Sequence, residues 1–140
     1  MICIGIDPGT KTGFAVWDTA DERFLAIGTE SIHRAMEDVL IWKGISESLG
    51  QKIEVTFEDA RQRTWYGEGD TYAKLQGAGS VKRDCSIWED FLKDKGIPYK
   101  AVQPIKGATK VSPEWFKQIS HWHVRVSQHA RDAAMLVIGR

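Results

Sequence analysis

Apolar runs broken by turn formers divide the chain into short strands first and helices later. Ile2-Cys3-Ile4-Gly5-Ile6 reads as a buried strand, with Phe14-Ala15-Val16-Trp17 and Phe24-Leu25-Ala26-Ile27 as a second and a third. Gly9 and Gly13 mark a turn between the first two, and Thr19–Glu22 suits a hairpin connection to the third. Ser31 stands where it would cap a helix whose apolar positions Ala35, Met36, Val39, Leu40 and Trp42 follow helical spacing, ending near Gly50. Ile53-Glu54-Val55-Thr56-Phe57 alternates as a strand does, and Glu58 follows it. After the polar stretch ARQRTWYGEGD, a long helix is predicted from about Thr71. Its apolar residues Leu75, Ala78, Val81, Cys85, Trp88 and Leu92 recur every three or four positions. Gly96 ends it, and residues 97–102 read as a last strand. QPIKGATKVSPEW is loop-like, with Ser112-Pro113-Glu114 opening a short helix. Ser127 can cap a final helix built on Ala130, Ala133, Ala134, Leu136 and Val137.

The order β-β-β-α-β-α-β-α predicts an α/β fold. We expect a central mixed sheet of about five strands, the first three antiparallel, flanked by helices on both faces. With 140 residues and no repeat, low-complexity tract or linker, residues 1–140 are expected to form one domain. The composition, 42% hydrophobic and 27% charged, is ordinary for a globular protein. No apolar run reaches membrane-spanning length, and the first residues are strand-like rather than a basic-then-apolar leader, so a cytoplasmic protein without a membrane partner is expected. Cys3 and Cys85 both lie in apolar surroundings and read as buried, reduced thiols. The formal net charge of zero conceals an asymmetry: residues 1–60 carry five Lys/Arg against eleven Asp/Glu, and residues 61–140 carry fourteen against eight. A basic half is compatible with a polyanionic partner and equally with a solvated charged surface.

Two strands end in a carboxylate, Asp7 and Glu58. If those strands are parallel neighbours, both side chains emerge at the same end of the sheet. His129 and Asp132, three apart on the last helix, share a helix face. Two carboxylates about 5 Å apart repel by roughly 3 kcal/mol at an effective dielectric of about 20, so a cluster of three calls for protonation or for cations. Oxygen-rich ligation suits Mg²⁺, two per site, with Mn²⁺ as a substitute and the imidazole completing one sphere. Two such ions against three carboxylates and a neutral histidine leave one net positive charge, which attracts a phosphodiester. Each signal also has an ordinary reading: Asp-Pro-Gly as a turn, Glu58-Asp59 as a solvated strand end, and the His/Asp pair as a surface hydrogen bond.

The segments GIDPGTKTG around Asp7, VTFED around Glu58 and QHARDAAMLV around His129 and Asp132 resemble the RuvC family of Holliday-junction resolvases, within the ribonuclease H-like superfamily. The resemblance covers nearly the whole chain. It implies a homodimer that cuts four-way DNA junctions by metal-dependent phosphodiester hydrolysis. It also implies that Asp7, Glu58 and Asp132 ligate metal, and that His129 either joins them or activates water. The turn after Asp7 is one residue shorter than in cellular members, which fits a divergent or phage-type chain. Three alternatives remain. A YqgF-type nuclease acting on RNA shares the Asp-x-Gly-Thr-Lys opening, but no counterpart of its Gly-Leu-Pro strand ending is found. Sugar-kinase/actin ATPases share the Asp-Gly-Thr spacing but need two domains. A nuclease-dead branched-DNA-binding module would not need all four ligands.

For DNA contact, the loop after Glu58 offers Arg61 and Arg63 to phosphates, and Trp65 and Tyr66 for stacking or wedging into an opened junction. Alternatively, the aromatics cap the core. Lys106 and Lys110 resemble lysines that the family sets on the scissile backbone, and Lys11 is a weaker phosphate candidate. His121-Trp122-His123 lacks the partners for a zinc site and reads as a partly buried pair. Gly77-Ala78-Gly79 reads as a close-packing surface, within the chain or between two copies.

Overall fold

The computed structural model describes residues 1–63, 72–104 and 110–140, with the side chains of 72–75 outside that description. Its elements are β1 (Ile2–Asp7), β2 (Lys11–Asp18), β3 (Arg23–Ser31), α1 (Ile32–Ser48), β4 (Ile53–Glu58), a 3₁₀ turn (Ala60–Gln62), α2 (Tyr72–Asp94), β5 (Tyr99–Val102), α3 (Pro113–Ser120) and α4 (Gln128–Met135). The strands form one mixed sheet in the order β3-β2-β1-β4-β5, so the spatial order departs from the chain order. β1–β2 and β2–β3 pair antiparallel, as expected of the first three strands, while β1–β4 and β4–β5 pair parallel.

Alternation along the strands assigns the two faces. Ile2, Ile4, Ile6, Phe14, Val16, Val55 and Phe57 point to one side, where they pack with Ala35 and Val39 of α1 and with Cys85, Trp88 and Leu92 of α2. Cys3, Ala15 and Trp17 point to the other, against Phe116 of α3 and Ala133 and Ala134 of α4. Helices therefore cover both faces. Both cysteines are free and buried, as their surroundings implied.

Several local expectations need correcting. β3 runs on to Ser31 because its outer half continues to pair with β2, Thr12 standing opposite Glu30 and Lys11 opposite Ser31. Ser31 precedes α1 without giving it a side-chain cap, whereas Ser112 and Ser127 accept from Trp115 N and Ala130 N and cap α3 and α4. His121 and His123 are exposed rather than partly buried; Trp122 between them turns inward. A Cβ added at Gly77 or Gly79 would meet nothing within 4 Å among the described residues, so these glycines make no close packing within the described part of the chain.

Candidate active site

The parallel register of β1 and β4 sets Ile6 opposite Phe57. Both point into the α1/α2 face, so the next residues, Asp7 and Glu58, turn together toward the α4 face at the C-terminal ends of neighbouring strands. On that face α4 lies unusually close to the sheet. A Cβ on Gly5 would collide with the Ala133 carbonyl, and one on Gly13, opposite Asp7 in β2, would collide with the His129 carbonyl. Only glycine admits the helix at this depth. The approach delivers His129 to Asp7, with Nδ1 2.9 Å from Asp7 Oδ2. Thr12 steadies the intervening turn by donating from Oγ1 to the Gly9 carbonyl at 2.8 Å.

Asp132 is 17% exposed in its side chain and holds two donors. Lys110 Nζ donates to Oδ2 at 2.7 Å and Gln128 Nε2 to Oδ1 at 2.8 Å. The electrostatics tie Asp132 to the strand-end carboxylates. Burial pushes the Asp7 carboxyl above its ordinary value; the His129 hydrogen bond opposes that, and Asp132 adds to it. Glu58 is also raised, first by burial, then by Asp7 and Asp132, with Lys110 pulling the other way. Burial works against the Lys110 charge, but the hydrogen bond to Asp132 and the fields of Asp132, Glu58 and Asp7 prevail and hold its pKa up. Asp7, Glu58, Asp132, His129 and Lys110 thus form one interacting group drawn from four parts of the chain.

The chemistry of this donor set fits a hard divalent cation: three carboxylates supply oxygen, and the charges of Asp7 and Glu58 are raised in free energy by burial and by each other. Among the described residues, no three His, Cys, Asp or Glu side chains are drawn tightly enough together to enclose an ion. In this arrangement the Lys110 ammonium and the His129 ring answer Asp132 and Asp7, with Gln128 also on Asp132 and the field of Arg63 on Glu58.

The expected DNA-facing residues are placed unevenly. Lys110 reaches the cluster, although it grips an acid rather than standing free for a backbone phosphate. Lys11 is exposed at the start of β2. Arg61 is held within the protein: Nε and Nη2 donate to the two Asp59 carboxylate oxygens at 2.8 and 2.9 Å, and Nη2 also meets Glu89 of α2. Arg63 is exposed and close enough to Glu58 to lower its carboxyl's pKa. Trp65, Tyr66 and Lys106 lie outside the described residues. Gln128 and Gly5 carried no assigned role in the sequence, and Gly13, expected to mark a turn, lies inside β2 opposite Asp7. Gln128 could have been found from its spacing, four residues before Asp132 on α4. The two glycines gave a signal only in their density along β1 and β2. No protein-family model matches the chain, and no curated protein matches it either.

Proposed function

We propose that this chain is a structure-selective endodeoxyribonuclease of the RuvC type, on a ribonuclease H-like fold, that hydrolyses phosphodiester bonds in four-way junctions or other branched DNA. One observation carries the reading: Asp7 and Glu58 turn to the same face at adjacent strand ends, where Asp132 and His129 of α4 complete the group. An interacting set of three acids costs free energy in the apo protein, and cation binding offsets that cost. Asp7, Glu58 and Asp132 would hold two Mg²⁺, or Mn²⁺ in their place. When bound, such ions polarise the phosphate and lower the pKa of water. With Asp7 ionised, His129 donates from Nδ1, which fixes the ring and leaves Nε2 as the basic nitrogen for a water proton. Lys110 shifts from Asp132 to the negative phosphate once cations neutralise the acids, and Lys11 and Arg63 extend the positive track. Cutting a junction symmetrically needs two such sites, so the working form is a homodimer.

The test is Mg²⁺-dependent cleavage of a four-way junction, a matched linear duplex and a structured RNA. The wild type should cut the junction well ahead of the others. Asp7→Asn should lose more than about a hundredfold, since losing even a partner one step behind a metal ligand costs about 10–100-fold. Cleavage of RNA alone would transfer the reading to the YqgF-type alternative. A second reading, a branched-DNA-binding module without cleavage, draws on the Lys110–Asp132 bond, which already neutralises part of the cluster. Tight junction binding with no cleavage in Mg²⁺ or Mn²⁺ would establish it instead.

A further inference from the structure

Beside α4, a cavity of about 420 Å³ opens between α3, residues 122–126 and Arg131. Its size falls within the range of small-molecule sites, about 300–1,000 Å³. Arg131 is 8% exposed, yet among the described residues its guanidinium donates to uncharged groups: Nε to the Val111 carbonyl at 3.1 Å, Nη1 to the Val126 carbonyl at 2.7 Å and Nη2 to Gln128 Oε1 at 2.9 Å. A buried guanidinium paired with neutral acceptors keeps its positive potential in the space it lines. Lys117 and Arg125 add two exposed cations at the same cavity, against the single carboxylate of Glu114. Phe116, Trp122 and Val126 give the cavity an apolar and aromatic wall, beside which stands the His123 imidazole.

We propose that this cavity binds a phosphorylated nucleoside, with the phosphate at Lys117, Arg125 and Arg131 and the base along the Phe116/Trp122 wall. Inorganic phosphate would leave the apolar wall uncovered, and an uncharged aromatic would leave the cations unanswered. The choice of a nucleoside over other flat anions rests on the nucleic-acid reading of the neighbouring site. Gln128 joins the two sites physically. Its Oε1 accepts from Arg131 while its Nε2 donates to Asp132, so two hydrogen bonds through Gln128 connect an anion drawing on Arg131 to the acidic group.

The test is a titration of isotope-labelled, metal-free full chain with dAMP and dTMP, followed by amide NMR and calorimetry. Saturable binding should shift the amides of residues 122–126. Deoxyadenosine lacking phosphate, and inorganic phosphate alone, should each bind at least about tenfold more weakly. The surface double variant Lys117→Ala/Arg125→Ala should lose at least about tenfold, the scale of one charge-assisted hydrogen bond. A 5′-phosphorylated tetranucleotide binding more tightly than dAMP would identify a DNA strand as the source; weaker binding would identify the free nucleotide. The proposal is overturned if nucleotides leave residues 122–126 unshifted, if the double variant binds as the wild type does, or if hexaglutamate occupies the cavity more tightly. Because no metal or cleavage enters the assay, nucleotide binding without junction cleavage would sink the nuclease reading alone. Cleavage without nucleotide binding would sink only the cavity.

Discussion

At the scale of single residues, the acids of this site oppose the fold that gathers them. Asp7 and Glu58 have carboxyl pKa values raised above their ordinary 3.8 and 4.5. For such acids the native state prefers the protonated form, so their contribution to stability is full below those values and is lost as pH rises through the higher folded-state values. In a chelator, the stability difference between Asp7→Asn and wild type should therefore grow in the variant's favour as pH climbs from about 4 to 7. The variant should melt higher at neutral pH, by about 2–4 °C for each kcal/mol of repulsion removed, less whatever the lost His129 contact costs. Mg²⁺ should raise the wild-type melting temperature and raise the variant's less. A wild type that melts higher than Asp7→Asn in chelator at pH 7 would contradict the crowding. Lys110 works the other way, holding both carboxyls down. Lys110→Met should raise their titration midpoints further, as read from carboxyl carbon shifts. The sequence made the acids legible because a carboxylate ending an apolar strand is conspicuous. It did not reveal that Lys110 pairs with Asp132, since that contact depends on where a loop residue lands after folding.

At the scale of elements, the site exists because α4 can lie almost on the sheet. Gly5 and Gly13 receive the carbonyls of Ala133 and His129, and any Cβ there must push the helix outward. Gly13→Ala should separate His129 from Asp7 and destabilise the fold by about 1–3 kcal/mol, the usual range for overpacking. Denaturant midpoints and the His129 ring shifts would measure both effects; unchanged ring shifts would show that the helix depth does not matter. Arg61 performs a similar positioning task, tying the turn after β4 to α2 through Asp59 and Glu89. Arg61→Ala leaves Asp59, 3% exposed, short of a cation. Because the arginine side chain is itself about a third open to water, the loss should fall near 1–3 kcal/mol, below the full cost of breaking a buried pair. The helical course of α2 and the capping of α3 and α4 by Ser112 and Ser127 were readable from spacing and cap chemistry. The full length of β3 was not, because its outer half is held by pairing with β2 rather than by an apolar run of its own.

At the scale of the whole molecule, two cores on opposite faces of one sheet make the strand ends a rigid platform. The acidic group sits at the C-terminal ends of β1 and β4, the usual place for ligands in sheets with parallel strands. The element order was enough to predict a mixed sheet with helices on both faces, because strand alternation and helix periodicity are properties of short segments. The spatial order of the strands and the cavity beside α4 arise from packing between distant segments, which a single sequence does not spell out. The dimeric form proposed above should sediment at twice the chain mass, with a weight average that falls on dilution; a monomer at every concentration would refuse it. The most direct test of the account is a crystal grown in Mn²⁺ and read by anomalous scattering. It should show manganese peaks ligated by Asp7, Glu58 and Asp132, with Lys110 drawn off Asp132. A map with no manganese at these carboxylates, and Lys110 still on Asp132 at saturating metal, would contradict it.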